Sequence, residues 1–137
     1  MVKYYLDTCV WIAYFNKHEK QHAEAAELFR KIIETPGMQI IISRRHTHEM
    51  ANKNFLDKFN RLKNLLYKRG KCRGVQTTEF DRQIALYHNQ YFRLGYGDCL
   101  HLQVAKKGKA LPISYDNDWH EIGSRIQIRV YLPEELL

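Results

Sequence analysis

Two aspartates one residue apart, in the stretch SYDNDW of residues 114–119, follow the short apolar run Leu111-Pro112-Ile113. Asp is common in turns because its side chain bonds nearby backbone, so Asp116 and Asp118 alone would read as a solvated loop. Three further acids change the reading. Asp7 ends the β-rich run Lys3-Tyr4-Tyr5-Leu6, Glu49 lies a turn or two into the helical segment after Gln39-Ile40-Ile41-Ile42-Ser43, and Asp98 follows Gly97 where another helical pattern begins. Each has an ordinary reading by itself: Asp98 would cap a helix, and a lone helical glutamate is usually a surface residue. Together, with two strand ends carrying carboxylates and Glu49 leaning back toward a third, they describe a crevice whose like charges repel unless a cation stands between them. All-oxygen donors suit Mg²⁺ or Mn²⁺, one ion or two, and such centres leave room for water and a substrate phosphate. The chemistry predicted is in-line hydrolysis of a phosphodiester, with the ions stabilising charge on the entering and leaving oxygens.

Other constellations carry less. His46-Thr47-His48-Glu49-Met50 lacks the HExxH spacing of a zinc helix, with no histidine at residue 52. His18 and His22 share a helix face but have no third ligand in view. Cys9 could act as a nucleophile, yet no neighbouring base is evident and a buried small thiol is commoner. No phosphate-cradling GxxxxGK[ST] loop, GxGxxG turn or aromatic RNA-binding motif is present. A phosphatase of the haloacid dehalogenase kind would need a second aspartate at position 9, which is Cys9.

The elements that must position these acids can be read from periodicity. Lys3–Leu6, Gln39–Ser43 and Leu111–Tyr115 read as short buried strands, and Ile126–Tyr131 as a last one. His18–Glu34 has helical apolar spacing and stops at Thr35-Pro36-Gly37; Arg45–Arg69 repeats the pattern as far as Gly70, and Phe80–Phe92 and Asp98–Lys107 add two more helices. Strands alternating with helices predict right-handed βαβ units: an α/β fold of three α/β/α layers around a mainly parallel sheet, with the ligand crevice at the carboxyl ends of the strands. The 137 residues fit a single domain, 1–137, without repeats or linkers.

Composition narrows the setting. Three separated cysteines without a CxxC pair fit reduced thiols, and no apolar stretch nears the ~20 residues that span a bilayer, so a soluble cytoplasmic protein away from membranes is expected. The net charge of +7 is concentrated between Lys53 and Arg73, where eight basic residues face the single acid Asp57 and the rest of the chain balances. Such a block suits a polyanion, since release of counterions drives binding to phosphates; a merely solvated helix face is the competing reading.

The stretches YYLDTCVWIAYF (4–15), IIISRRHTHEM (40–50), GDCLHLQVAKKGKALPISYDNDWHEIG (97–123) and VYLPEEL (130–136) resemble, in order and spacing, the PIN-domain ribonucleases, in particular the VapC-type toxins of toxin–antitoxin pairs. The resemblance implies that Asp7, Glu49, Asp98 and Asp116 form a catalytic acidic metal site, with Asp118 as a further metal ligand and Thr8 and Ser114 as supporting hydroxyls. It also implies a Mg²⁺- or Mn²⁺-dependent endoribonuclease, commonly a homodimer, silenced by an antitoxin whose tail enters the acidic groove. On that reading Lys53, Lys58, Arg61, Lys63, Lys68 and Arg69 become an RNA clamp, and Tyr67 a stacking platform. Two departures stand out: Cys9 replaces a frequent Ser or Asn, and Arg44, Arg45, His46 and His48 make the approach to Glu49 unusually basic. A non-catalytic nucleic-acid-binding or complex-forming module, and a housekeeping RNA-maturation nuclease, are the alternatives.

Overall fold

A computed structural model describes all 137 residues. The chain forms β1 (Val2–Leu6), α1 (Thr8–Phe15), α2 (His22–Glu34), β2 (Met38–Ile42), α3 (Arg44–Asn52), α4 (Leu56–Lys68), β3 (Cys72–Gly74), α5 (Glu79–Phe92), α6 (Tyr96–Lys107), β4 (Leu111–Ile113), α7 (Asn117–Ile126) and a closing 3₁₀ turn at Pro133–Leu136. The four strands lie in the order β3-β2-β1-β4 and every pair is parallel, with Val2 opposite Met38, Tyr4 opposite Leu111 and Ile40 opposite Cys72.

Parallel strands buried on both faces read as continuous apolar runs, and the period of two then assigns each residue to a layer. Tyr4, Leu6, Ile40 and Ile42 point into a core with Trp11, Phe29 and Phe59, supplied by α1, α2 and α4. Tyr5 and Ile41 point the other way, into a core with Leu102, Val104, Trp119 and Ile122 of α6 and α7. Trp11 lies at the centre of the first layer, its ring 5.0 Å from those of both Phe29 and Phe59. The three-layer α/β/α architecture is therefore the one the sequence predicts.

Four details differ from the sequence reading. The helical pattern from Arg45 to Arg69 is two helices, broken at Asn54, whose φ of 62° is left-handed. Asn tolerates that conformation, and the apolar spacing on either side conceals the break. Residues 126–131 do not form a strand: α7 runs to Ile126, Gln127 turns left-handed, and only Tyr131 bridges Ile113. The alternation there is nonetheless real, because Ile126, Ile128 and Val130 all pack on the second core. Gly123 permits this return, since a Cβ there would overlap the Ile128 carbonyl oxygen and the Val130 methyl. Strand β3, hidden inside the basic block, has no sequence signal of its own. Finally, α2 begins at His22 and α6 at Tyr96, so Gly95 occupies the cap position and Asp98 lies within the first turn.

Helices α5 and α6 are joined by Asp81. Its Oδ2 accepts from the Thr78 backbone N–H at 2.8 Å and Lys107 Nζ at 2.8 Å, and its Oδ1 from Gln103 Nε2 at 3.2 Å. Burial raises this carboxyl, but the bonds from Lys107, Thr78 and Gln103 outweigh it and hold the group at about 2, below its ordinary 3.8. A depressed carboxyl stabilises the fold fully above the ordinary value and loses that contribution as pH falls through the folded one. Wild-type protein is therefore expected to lose more stability between pH 4 and pH 2 than Asp81→Asn does, as read by urea unfolding at each pH; parallel losses would dissociate Asp81 from the acid response.

Candidate metal centre

The carboxyl edge of the sheet gathers the acids. Asp7 follows β1 directly: its backbone N–H continues the ladder to the Ile113 carbonyl at 2.8 Å, and it stands at the cap of α1. Ser114, one residue past β4, donates its hydroxyl to Asp7 Oδ2 at 2.6 Å and accepts the Asp116 backbone N–H at 2.8 Å. This one buried hydroxyl links the ends of two adjacent strands. Burial raises the Asp7 carboxyl above its ordinary value, and the nearby charge of Asp98 pushes the same way.

Asp98 projects from the first turn of α6, where the indole Nε1 of the fully buried Trp119 donates to its Oδ1 at 3.0 Å. Burial raises this carboxyl too, and the charges of Asp116 and Glu49 add to the rise. Asp116 caps α7, accepting from the Asp118 backbone N–H at 2.9 Å. The cap predicted for Asp98 is thus found at Asp116, where it serves to aim the residue. Oxygens of Asp98, Asp116 and Asp118 lie within 4.8 Å of one another, and ligand atoms of Asp7, Glu49 and His101 form a second such group.

Glu49 is the most heavily supported acid. Thr8 Oγ1 donates to its Oε1 at 2.6 Å, His101 Nε2 to the same oxygen at 2.9 Å, and Arg45 Nε to its Oε2 at 3.1 Å. Burial raises the group, but His101, Thr8 and Arg45 together more than offset it and hold the carboxyl at about 2. His101 is fully buried, and its Nδ1 lies 2.6 Å from the Tyr5 hydroxyl, which lies 2.8 Å from Ser43 Oγ. Because a carboxylate only accepts, Nε2 must carry the proton toward Glu49, and in the neutral ring Nδ1 then accepts from Tyr5. His101 and Tyr5 escaped the sequence reading, since a histidine and a tyrosine inside apolar runs look like core residues.

The remaining candidates sort by place. His46 is fully buried, with Nδ1 accepting from the Ser43 N–H at 3.1 Å and Nε2 donating to the Leu6 carbonyl at 2.7 Å; burial lowers it to about 3. It pins α3 to the end of β1 and offers no free nitrogen to a metal. Cys9 Sγ lies 3.4 Å from Asp7 Oδ2, and burial followed by the charge of Asp7 pushes the thiol up to about 12, which removes it as a nucleophile. The far end of the basic block lies away from the acids. Lys53 caps the end of α3; Lys58, Arg61 and Lys63 lie on α4, with Lys58 and Lys63 over the rings of Phe55 and Phe59. Lys68 and Arg69 precede Lys71, whose ammonium bonds the Thr35 and Met38 carbonyls at the start of β2, the opposite end of the sheet.

The donor set fits a hard divalent cation. Carboxylate oxygens dominate it, both nitrogens of His101 are already bonded, and beyond burial Asp7 is raised by the charge of Asp98 and Asp98 by the charges of Asp116 and Glu49, a repulsion that a cation would relieve.

A family model for the PIN domain matches residues 4–124. No curated protein matches the chain. Among solved structures, FitAcB from Neisseria gonorrhoeae is similar over 98% of this chain and 99% of that one, with a TM-score of 0.65 and 16% identity. VapBC2 from Rickettsia felis, bound to a DNA fragment from its promoter, is similar over 96% and 98%, with a TM-score of 0.63 and 17% identity. The sarcin–ricin loop cleaving toxin VapC20 from Mycobacterium tuberculosis is similar over 87% and 94%, with a TM-score of 0.59 and 17% identity. At these identities the likeness is one of fold.

The support of Glu49 can be tested alone. His101→Leu keeps a buried side chain but removes the donor, and is expected to raise the Glu49 carboxyl above about 2 and to cost about 1–3 kcal/mol of stability. Carboxyl ¹³C shifts followed through a pH titration would show it; an unmoved titration would assign the depression to Thr8 and Arg45.

Proposed function

The chain belongs to the PIN-domain family, and from the acids at its strand ends we propose that it is a Mg²⁺- or Mn²⁺-dependent endoribonuclease, the toxin of a toxin–antitoxin pair. The observation that supports this reading is the pair of ligand groups, Asp7 and Glu49 with His101, and Asp98 with Asp116 and Asp118, in which a partner hydrogen bond fixes Asp7, Asp98, Asp116 and Glu49. Asp7, Asp98 and Asp116, with Asp118 and Glu49 beside them, would hold the cation. Bound there, a divalent ion supplies charge stabilisation to the oxygens of a phosphodiester under attack by water.

This chain's own residues set the geometry. Ser114 turns Asp7 toward the crevice and ties it to the loop bearing Asp116, while Trp119 fixes the rotamer of Asp98 from a fully buried position. Thr8, His101 and Arg45 keep Glu49 ionised, and so able to face a cation, at any pH where RNA is stable. Partners that orient ligands in this way typically carry about 10–100-fold of metal affinity or activity.

The finer parts of the reading rest on different support. RNA as substrate agrees with the net charge of +7 and with the cations near Glu49. A cognate antitoxin agrees with neighbours described as toxin–antitoxin complexes, such as one from Klebsiella pneumoniae. A homodimer, or an antitoxin helix, would cover apolar surface of the kind that Phe80, Tyr87 and Tyr91 expose along α5. No helix is long and apolar enough to cross a membrane.

Purified protein incubated with a mixed RNA pool is expected to cleave with Mg²⁺ or Mn²⁺ and to stop with EDTA. Asp98→Asn should keep the fold and lower cleavage by at least about 10–100-fold, the range for residues that merely orient a ligand. Cleavage retained in the variant would mark a contaminant or remove Asp98 from the site; a folded wild type inert in both metals would favour the non-catalytic binding module.

A further inference from the structure

A groove of about 350 Å³ opens beside Glu49, and its polar wall carries three guanidinium groups, Arg44 and Arg45 from α3 and Arg82 from α5, with His48 of α3 beside them. No acid lines it. Its apolar part is Val75, from the segment that continues β3 beyond Gly74, and Leu100 from α6. Gln76 and Thr77 complete the wall, and Thr77 Oγ1 is buried without a hydrogen-bond partner. We propose that this groove is a nucleotide subsite, holding one unpaired nucleotide of the RNA strand that flanks the phosphodiester to be cut. The inference rests on the ribonuclease reading above and adds where the substrate lies.

The position carries the argument first. Arg45 belongs to both places: its Nε donates to Glu49 Oε2 at 3.1 Å while its side chain lines the groove, so the groove runs directly into the acid centre. Gly97, the neighbour of Asp98, makes room for this, since a Cβ there would overlap the Arg45 guanidinium. The groove also lies at the carboxyl ends of β2 and β3, where the Val75 N–H bonds the Ile42 carbonyl at 2.8 Å, the edge at which open α/β sheets bind ligands.

Chemistry and size carry it further. Guanidinium groups present planar forks that match phosphate oxygens. Arg44 is exposed and makes no ion pair, and Arg82 is committed only through Nε to Glu79 on the solvent side. The Val75 and Leu100 surface suits the face of a base or sugar, while Gln76, Thr77 and His48 offer hydrogen-bonding atoms to a base edge or a 2′-hydroxyl. The volume is at the small end for ligand sites, enough for one nucleotide. A duplex cannot lower a single residue into it, so the strand is unpaired there. The far end of the Lys53–Arg73 block, by contrast, lies at the opposite end of the sheet from the acids.

The test is fluorescence anisotropy with a single-stranded oligoribonucleotide of mixed sequence, in EDTA and again in Ca²⁺, over a range of salt. The Arg44→Ala, Arg82→Ala double variant is compared with wild type and with Lys68→Ala, Arg69→Ala. The groove variant is expected to bind about tenfold or more weakly, with a salt slope smaller by about 1.4, at ~0.7 per lost single-strand phosphate contact. Binding and slope equal to wild type would overturn the subsite, as would loss of binding only in the Lys68, Arg69 variant. Failure of the ribonuclease reading looks different: the groove variants still weaken binding while wild-type protein leaves the RNA uncut in Mg²⁺ and Mn²⁺.

Discussion

Confinement of like charge at the carboxyl edge of a parallel sheet is the constraint on which the rest of this structure depends. Asp7 is buried and Asp98 half-buried, and burial itself works against their ionised forms. A carboxylate there keeps one orientation only if neighbours hold it, because an unpartnered buried charge costs several kcal/mol or else takes up a proton. The neighbours come from different layers: the Ser114 hydroxyl from the end of β4, the Trp119 indole from the second core, the Thr8 hydroxyl from the first turn of α1. Removing any layer would release an acid, so the packing of both cores bears on the site.

The support for Glu49 reaches deepest. From Ser43 through Tyr5 and His101 to Glu49, a row of hydrogen bonds of 2.6–2.9 Å passes behind the site from the end of β2 through β1 and α6 to α3. In a low dielectric such a row is costly unless every member is satisfied, and rigid when it is. Burial drives the Tyr5 hydroxyl well above its ordinary range, so it stays protonated and can donate to His101 Nδ1. That donation fixes which nitrogen of His101 faces Glu49, much as the carbonyl of Leu6 fixes the ring of His46 one layer away. Apolar cores do the folding, and this polar seam between sheet and helices sets the rotamers that the chemistry needs.

What the sequence makes legible follows the range of the forces involved. Apolar runs and their endings report burial and backbone conformation, so the α/β/α layering, the strand-end acids at Asp7 and Asp116 and the helices carrying Glu49 and Asp98 can be read along the chain. Signals that cancel locally cannot. Asn54 interrupts two helices whose apolar faces stay in phase, and β3 is three residues long inside a stretch dominated by surface cations. The alternation at Ile126, Ile128 and Val130 reports a buried face correctly but says nothing about whether a neighbouring strand is present to pair with it. His101 and Tyr5 are invisible for a related reason, because their polar roles exist only through residues more than thirty positions away.

Charge placement joins these observations. Acids gathered at one edge of a sheet repel a polyanion, so positive groups must stand close enough to act within a Debye length of about 8–10 Å. The bulk of the chain's excess charge, on α4 and the turn after it, extends to the far end of the sheet, where it can raise the local concentration of a polyanion. Arg45 resolves the conflict at short range. Its guanidinium neutralises one acid of the centre, lies over a glycine that spares it a collision, and presents the same positive face to the groove that Arg44 and Arg82 share. A lysine would not serve equally, since a point charge cannot satisfy Glu49 in one direction and keep planar donors directed at a phosphate in another. The unusually basic approach to Glu49 is thus the physical counterpart of the acids it borders.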